Sequence, residues 1–282
     1  MIRVSNVGFS YKKTSLFDGL DLELAAGGIY GLLGRNGAGK TSLLKLLSGQ
    51  LFPAAGDCSV LDFNPSRRSP ELLREIYFLP EEFHTPSITG EAYLGAYAPF
   101  YPRFDRVRFS ELAGEFEISI QNRLASMSYG QKKKFLLAFA FSTGSKILLL
   151  DEPTNGLDIP SKRQFRRAVA SSIESDQVIL ISTHQVRDME HLIDPIIILE
   201  AGKIVLNYGI GDIADRLSVT METQEPVGED VLYSEMVVGG YTVLRARHAE
   251  TDGRAVDLEL LFNAIVSPDS RLGEFLDKEV VR

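Results

Sequence analysis

Length, composition and charge favour a compact globular protein and argue against several other classes. The chain has 282 residues, 44% of them hydrophobic, which suffices for one large domain, alone or with a smaller appendage. Its formal net charge of -8 argues against nucleic acid as the main partner, because binding a phosphate backbone requires clustered lysine and arginine. The single cysteine, Cys58, cannot form an internal disulfide, and no zinc-type Cys/His spacing occurs, so we expect a buried thiol in a reducing compartment.

From the sequence we expect neither a signal peptide nor a membrane span. No N-terminal stretch combines a basic start, an apolar core and a small-residue cleavage site. The longest mostly apolar segment, Ala92 to Tyr101, is interrupted by Gly95 and Pro99 and is shorter than the roughly 20 residues that cross a bilayer. We therefore expect a cytoplasmic protein whose membrane role, if any, depends on another polypeptide.

The first fifty residues predict an antiparallel β opening, followed by a strand, a glycine-rich turn and a helix. Ile2 to Phe9 and Leu16 to Leu24 show the loose alternation of strands, with Asp18-Gly19 as the predicted turn. Gly28 to Leu33 predicts a short buried strand, and Thr41 to Gly49 predicts the helix. Strand, loop and helix in this order suit a phosphate-binding loop.

The middle of the chain predicts a helical insertion at about residues 82–141. Thr89 can cap a helix with Glu91 in its first turn, and aromatic residues such as Tyr93 and Tyr97 follow at helical spacing. We expect some of these rings to be buried and others to be exposed for a partner.

Strands and helices then alternate, which predicts a parallel sheet covered on both faces. The predicted strands are Ile147 to Leu150, Val178 to Ser182 and Ile196 to Leu199, and the predicted helices are Ser161 to Ile173 and Val186 to Ile193.

The composition changes after Asn207, and we expect a small C-terminal α/β appendage there. Val231 to Val238 and Tyr241 to Arg245 flank Gly239-Gly240, a signal for a two-residue hairpin turn. Val256 to Val266 is amphipathic and predicts a closing helix. Packing on the core or support of a dimer is the favoured interpretation of this tail, over ligand sensing.

A glycine-rich motif between the predicted strand and helix indicates an α/β protein with a P-loop NTPase core. It consists of Gly34, Arg35, Asn36, Gly37, Ala38, Gly39, Lys40 and Thr41, with Ser42 next in the helix. In such a loop the backbone N–H groups and the helix N-terminus hold the phosphates of a nucleotide, and Lys40 reaches the terminal ones. Thr41 places a hydroxyl on Mg²⁺, so ATP and Mg²⁺ are the expected ligands.

The predicted strand from Ile147 ends in two carboxylates, Asp151 and Glu152. Alone, this pattern is an ordinary strand end, but a phosphate loop in the same chain makes it a candidate catalytic pair. Asp151 then holds Mg²⁺ through water, and Glu152 polarises the attacking water.

A third motif decides between families of phosphate-loop ATPases. Residues 127–132, Met-Ser-Tyr-Gly-Gln-Lys, precede a helix and resemble the Leu-Ser-Gly-Gly-Gln signature of ABC ATPases. Ser128 is also an ordinary N-cap, and both roles are compatible because a capped helix N-terminus offers a site for a γ-phosphate. The resemblance implies that Ser128, Gly130 and Gln131 bind the nucleotide of a second subunit.

The resemblance extends to residues before and after the signature. Residues 155–158, Asn-Gly-Leu-Asp, look like the D-loop of the family, which makes Asp158 a candidate nucleotide contact. His184 follows a predicted strand as the switch histidine of the family does, which makes it a candidate catalytic residue. Tyr11 looks like the aromatic that stacks on adenine, although a core aromatic of the strand is the alternative.

Three positions depart from the family pattern. Glu81 replaces the glutamine that approaches Mg²⁺, and as an oxygen donor it stays a predicted metal ligand beside Thr41 and Asp151. Tyr129 replaces the first signature glycine, and Lys134 stands where arginine is common.

The resemblance implies an ABC ATPase domain at residues 1–206 and a C-terminal extension at residues 207–282. It implies an ATP-hydrolysing subunit of an exporter-type ABC transporter, pairing with a second ATP-binding subunit, most simply a copy of itself. It further implies a separate transmembrane permease that holds the chain at the inner face of the cell membrane.

Two other functions stay open. One is a soluble ABC ATPase acting on ribosomes, DNA or iron–sulfur assembly, against which stand the single cassette, the acidic balance and the lack of a long coiled-coil insertion. The other is a regulatory module that holds ATP without turnover, which Glu152 and His184 argue against.

Overall fold

The structure is a computed structural model that describes residues 1–189, 192–247 and 257–280. Its strands are β1 Ile2–Tyr11, β2 Thr14–Leu24, β3 Gly28–Leu33, β4 Ala55–Val60, β5 Ile76–Leu79, β6 Ile147–Asp151, β7 Val178–Thr183, β8 Ile196–Glu200, β9 Lys203–Tyr208, β10 Leu217–Glu222, β11 Val231–Val237 and β12 Gly240–Ala246. Its α-helices are α1 Lys40–Leu47, α2 Pro70–Leu73, α3 Gly90–Tyr97, α4 Arg106–Glu115, α5 Tyr129–Ser142, α6 Ile159–Ala170, α7 Val186–Met189, α8 Ile210–Arg216, α9 Leu258–Val266 and α10 Leu272–Val280.

A six-stranded sheet forms the centre of the fold, in the order β5-β6-β7-β3-β8-β9. Neighbouring strands from β5 to β8 are parallel, and β9 closes the sheet as an antiparallel edge. The central strands β6 and β7 are buried at every position, as their unbroken apolar runs require when helices cover both faces. The predicted α/β class with a parallel sheet is confirmed.

The antiparallel β opening is also confirmed, but its turn is not where the sequence indicated. The order of this second sheet is β2-β1-β4, and the chain reverses between β1 and β2 at Lys12 and Lys13. The predicted turn at Asp18-Gly19 is wrong, because both residues lie inside β2. They form a β-bulge, because β2 has one extra residue between its paired positions Phe17 and Leu20. Gly19 has a φ of 74°. A glycine with left-handed backbone occurs both in bulges and in turns, which explains the misassignment.

Helices α3, α4 and α5 lie between β5 and β6, in the region predicted as a helical insertion. The predicted caps are present, since the Thr89 hydroxyl accepts from Ala92 N and the Ser128 hydroxyl accepts from Gln131 N. Helix α5 is the internal element of this layer, because every residue from Phe135 to Ser142 is buried. A helix that is apolar all round is stable only inside the protein.

The C-terminal region contains a third sheet in the order β10-β12-β11, with α8, α9 and α10. The hairpin turn is Val238-Gly239, one residue earlier than predicted, because Val237 pairs with Gly240. Strand β10 was not predicted. The predicted helix begins at Leu258, whereas Val256 lies outside the described residues.

Strand β9 continues to Tyr208, two residues past the predicted boundary at residue 206. The division into residues 1–206 and 207–282 stays a prediction. The thiol of Cys58 is buried, as expected, and desolvation raises its pKa to about 11. Among the described residues, no helix combines the length and apolar character that a bilayer crossing requires.

A cluster of aromatic rings holds α5 against the rest of the helical layer. Phe139 is fully buried, and its ring lies within 5.0–5.8 Å of four others, those of Tyr77, Tyr93, Tyr101 and Phe104. Edge-to-face and tilted arrangements dominate, as the charge distribution of aromatic rings favours.

We predict that Phe139→Ala lowers the free energy of unfolding by about 3–5 kcal/mol, because it removes a buried ring and leaves a cavity. Phe100→Ala is the matched control: Phe100 is 65% exposed, and its loss is expected to change stability by about 0.5 kcal/mol or less. Urea unfolding of both variants measures the difference, and equal effects would contradict this account of the core.

Candidate functional site

The candidate site lies at the carboxyl edge of the central sheet. Strands β5, β6, β7 and β3 are parallel neighbours, so the loops that follow them emerge side by side. In register, Asp151 pairs with Ser182 and Leu33 pairs with Thr183. The phosphate loop, the carboxylate pair and His184 therefore meet at one edge, where open α/β sheets bind their ligands.

The phosphate loop connects β3 to α1 and depends on glycine at specific positions. Gly39 has a φ of 112°, and a Cβ there would lie 2.7 Å from the Phe17 ring. A Cβ on Gly34 would lie 2.5 Å from the carbonyl oxygen of Leu199. Larger residues at these two positions would push the loop out of place, so the glycines fix its path into the N-terminus of α1.

Lys40 is buried at the floor of this loop. Its Nζ donates to the carbonyl oxygens of Gly34, at 2.7 Å, and Arg35, at 3.3 Å, and lies 3.8 Å from Glu152 Oε1. Desolvation lowers the pKa of this amine, and the carboxylate of Glu152 acts in the opposite direction. A cation at the N-terminus of a helix, next to a glycine-rich loop, suits a phosphate.

Asp151 is fully buried and receives a hydroxyl on each carboxylate oxygen. Thr41 Oγ1 donates to Oδ2 at 2.7 Å, and Ser182 Oγ donates to Oδ1. These bonds join α1, β6 and β7 at a single side chain. Ser182 was not among the predicted site residues, although its place at the end of β7, two residues before His184, was the available signal.

Glu152 is a second buried acid beside the phosphate loop. Its Oε1 lies 2.8 Å from His184 Nδ1, a distance at which an N–H donates to the carboxylate. Its Oε2 is buried and has no hydrogen-bond partner within the described part of the chain. Its backbone is left-handed, with a φ of 45°, which is costly for a residue other than glycine. An unpaired buried carboxylate oxygen next to a phosphate loop is suited to accept a proton.

Glu81 lines the same cavity and is oriented by an amide. Its Oε1 accepts from Asn155 Nδ2 at 2.7 Å, and Asn155 Oδ1 accepts from Gln185 Nε2 at 2.9 Å. Gln185 was missed by the sequence analysis because it belongs to no motif, and Asn155 was recognised only as part of the D-loop, without this side-chain role.

These groups surround a cavity of about 510 Å³. The predicted residues that line it are Tyr11, Arg35, Asn36, Gly37, Gly39, Lys40, Thr41, Ser42, Glu81, Asp151, Glu152 and His184. Leu16 was not predicted but also lines the cavity. Tyr11 is 47% exposed, which argues against the alternative of a core aromatic, and its hydroxyl lies 3.1 Å from Ser42 Oγ.

Other predicted residues do not line this cavity. Gly34 and Ala38 are part of the phosphate loop but do not line the cavity. Outside the loop, the cavity lining also lacks Ser128, Gly130, Gln131 and Asp158. Ser128 and Gln131 form a reciprocal capping box at the start of α5, and Asp158 caps α6 by accepting from Ser161 N. The signature turn, residues 127–132, is thus separate from the phosphate loop of its own chain.

The C-terminal region reaches this site at two points. Arg35 Nη2 donates to the carbonyl oxygen of Val266, at the end of α9, at 3.0 Å. Arg187 in α7, three residues after His184, forms an ion pair with Glu259 in α9. The first contact links α9 to the phosphate loop, and the second links it to α7, which begins two residues after His184.

The donor set around the cavity fits Mg²⁺ only in combination with a nucleotide. No group of three or more His, Cys, Asp or Glu suited to a metal occurs among residues 1–189, 192–247 and 257–280. The hydroxyl of Thr41 and the carboxylates of Asp151 and Glu81 supply hard oxygen donors. Magnesium typically combines one or two carboxylates with water and substrate phosphate oxygens, which matches this set.

Comparison with known proteins agrees with the geometry. The profile of the ABC transporter family matches residues 17–155, which include the phosphate loop, the signature turn and the carboxylate pair. The chain carries the ATP-binding domain of the ABC transporter family. The ABC transporter ATP-binding protein YtrB of Bacillus subtilis is 29% identical over 203 residues, covering 71% of this chain and 69% of YtrB.

Two further similarities concern other members of the ABC family. The Nod factor export ATP-binding protein I of Rhizobium etli is 28% identical over 247 residues, covering 85% of this chain and 78% of that protein. The solved dimeric structure of the ATP-binding cassette MJ0796 with ADP and Pi matches with a TM-score of 0.66, covering 74% of this chain and 98% of that one. At 20% identity, this last similarity concerns the fold alone.

We predict that Lys40→Ala weakens ATP binding about 10-fold to 100-fold, because it removes a charged donor from the phosphate loop. Lys45→Ala, in the same helix but outside the cavity, is the control and is expected to bind ATP normally. Titration with a fluorescent ATP analogue measures both affinities. An unchanged affinity in Lys40→Ala would exclude this loop as the phosphate site.

Proposed function

We propose that this chain is the ATP-hydrolysing subunit of an ABC exporter and that it drives a separate transmembrane permease. The proposal of hydrolysis rests on Glu152. This residue is buried beside the phosphate loop and oriented by His184, and its Oε2 has no hydrogen-bond partner among the described residues. A binding module without turnover has no need for an oriented acid of this kind at that place.

The cavity favours a nucleoside triphosphate as substrate. The loop N–H groups, Lys40 and the N-terminus of α1 would hold the phosphates, and the exposed ring of Tyr11 at the cavity edge would stack on adenine. Thr41, Asp151 and Glu81 would hold Mg²⁺. When bound, that cation neutralises charge on the phosphates during transfer.

The reaction that this site supports is an in-line displacement by water. Glu152 Oε2 accepts a proton from water as the water oxygen forms a bond to the γ-phosphorus. The bond between that phosphorus and the bridging oxygen of the β-phosphate breaks, so the electron pair leaves with ADP and inorganic phosphate is the second product. His184 holds Oε1 at 2.8 Å and so directs Oε2 towards the water, and Lys40 stabilises the charge on the departing phosphates.

A second subunit is proposed because the signature turn lies away from its own cavity. Ser128 and Gln131 are exposed at the N-terminus of a 14-residue helix, where backbone N–H groups and the helix dipole favour an anion. In a head-to-tail pair, these groups and Asp158 would face the nucleotide held by the phosphate loop of the other copy. The fold similarity to a cassette solved as a dimer supports this arrangement.

The permease contact is proposed at a groove of about 580 Å³ between the core and the helical layer. Its apolar wall includes Phe78, Tyr97 and Phe100, and its rim carries Arg68 and Arg74. Phe100 is 65% exposed, as expected of an aromatic residue that contacts a partner. Strand β5, which contributes Phe78, leads to Glu81, so a permease segment in this groove would lie three residues from the nucleotide cavity.

Export, and a location at the inner face of the cell membrane through the permease, are proposed from the relatives. Among them are a Nod factor export protein and a daunorubicin resistance protein of Streptomyces coeruleorubidus. Pull-down of the tagged chain from detergent-solubilised membranes tests the partnership: a copurifying multispanning protein is expected, and its absence would favour the soluble ABC ATPase.

We predict that Glu152→Gln binds MgATP like the wild type but hydrolyses it about 100-fold to 10,000-fold more slowly, because the amide keeps the size of the side chain and removes the base. Glu111→Gln, on the exposed side of α4, is the control and is expected to retain full activity. Phosphate release measures turnover. Near-normal turnover in Glu152→Gln would show that another group is the base.

The shared site leads to a prediction about mixed variants. Lys40→Ala and Ser128→Arg are each expected to be inactive alone, because each damages both composite sites of a homodimer. In a mixed dimer, one composite site carries both changes and the other carries neither, so mixing is expected to restore about a quarter of the wild-type ATPase activity on random pairing of independent sites. The homodimer would be contradicted if the mixture stays inactive and if Glu152→Gln remains monomeric by light scattering in MgATP. A heterodimer would then be favoured.

A further inference from the structure

Lys133 is a fully buried lysine in the second turn of α5, directly behind the catalytic loop. Its Nζ donates to the carbonyl oxygen of Glu152 at 2.6 Å and to the carbonyl oxygen of Asn155 at 3.1 Å. The same amine lies 5.5 Å from the centre of the Tyr129 ring. All three contacts hold the cation, yet none of them is a direct ion pair with a carboxylate.

Such an arrangement is expensive in free energy. Desolvation lowers the pKa of Lys133 to about 8, although the negative charges of Glu81, Glu152 and Asp151 act in the opposite direction. A methionine would occupy the same space in this apolar helix without that penalty. The fold therefore retains a costly amine at a position where packing alone does not require one.

The two hydrogen bonds of Lys133 act on the segment of the chain that holds the catalytic acid in its strained conformation. Glu152 has a φ of 45°, and its N–H donates to the carbonyl oxygen of Ser182 at 3.0 Å. Lys133 holds the opposite end of the same residue, so Glu152 is held between β7 and α5. A rotation of this backbone would move the carboxylate away from His184 and from the cavity.

Tyr129 makes the equivalent connection to the other acidic loop. Its hydroxyl donates to the carbonyl oxygen of Glu81 at 2.7 Å, and its ring stacks on Phe83 at 5.2 Å. Tyr129 and Lys133 are four residues apart and so lie on one face of α5. Tyr129 is also the residue that replaces a glycine of the ABC signature, and a glycine has no side chain with which to form this link.

We propose that Lys133 and Tyr129 are positioning residues for ATP hydrolysis, which together fasten the loops of Glu152 and Glu81 to the first two turns of α5. This inference rests on the proposed hydrolytic function. It extends that function, because the same turns carry the signature residues Ser128 and Gln131. A shift of the signature when it engages a second subunit is thereby transmitted to the catalytic acid of its own chain.

Lys133→Met tests the role of the amine, since methionine fills the space without donating. The kcat for ATP hydrolysis is expected to fall about 10-fold to 100-fold, as small displacements of a catalytic group do, with KM within about 3-fold of the wild type. Lys133→Gln, which keeps a donor, is expected to restore part of this loss. Tyr129→Phe, which removes only the hydroxyl, is expected to lower kcat about 2-fold to 10-fold.

The control is Lys146→Met, which removes a lysine at the opposite end of β6 and is expected to leave kcat unchanged. Thermal unfolding of each variant separates loss of fold from loss of positioning. If Lys133→Met does not fold, Lys133→Gln and Tyr129→Phe carry the test.

Hydrogen exchange without nucleotide gives a readout that does not require turnover. The peptide that covers residues 152–155 is expected to exchange faster in Lys133→Met, whereas the β7 peptide keeps its wild-type rate. A wild type without ATPase activity would refute the proposed function, and the exchange rates would still decide the inference. Wild-type exchange at residues 152–155, or a wild-type kcat in Lys133→Met, would overturn it.

Discussion

The burial of the Asp151 carboxylate is the constraint on which the rest of the site depends. Burial of a carboxylate is costly unless its oxygens accept hydrogen bonds, and here one hydroxyl comes from α1 and the other from β7. Parallel pairing places Ser182 beside Asp151, and the strand-to-helix path of the phosphate loop places Thr41 above it. Once these three residues are fixed, Glu152 and His184 are placed as well, because each is the first residue after its strand, β6 or β7. The geometry of the acid and its histidine is therefore a consequence of sheet register.

Helix α5 serves two requirements at its two ends. From Phe135 onward it is an internal hydrophobic helix, whose rings anchor the helical layer to β5. Its first turn is polar, capped and exposed, as a surface that contacts an anion or another subunit must be. Lys133 lies at the transition between these two environments, where an apolar helix meets the backbone of the loop that follows β6. The aromatic core fixes the position of α5. The hydrogen bonds from the first two turns of α5 then connect the helix to the loops of the site.

The parts of the fold that the sequence predicted are those encoded locally. The phosphate loop needs glycine at fixed steps, the buried strands are continuous apolar runs, and the caps at Thr89 and Ser128 are side chains acting on their own helix. The errors arise where different tertiary contexts use the same local chemistry, as at Gly19, whose left-handed backbone serves a bulge instead of a turn. Ser182, Gln185 and Lys133 were missed because their roles exist only after distant strands and helices meet. A lysine in a run of three on a predicted helix gives no indication that it will be buried.

The C-terminal region shows why a change in composition is a weak guide to separate folding. Residues after 207 contain no catalytic motif, but their apolar side chains join the same hydrophobic cluster as those of β6 and α5: Leu217, Leu244, Leu258 and Leu261 are among them. The ion pair between Arg187 and Glu259 adds little to this attachment, because its side chains are 80% and 43% exposed and such pairs contribute about 1 kcal/mol at most. Burial of α9 therefore holds the region in place, and the hydrogen bond from Arg35 to Val266 follows from that packing. Hydrophobic packing thus brings a tail without a motif into hydrogen-bonding distance of the phosphate loop.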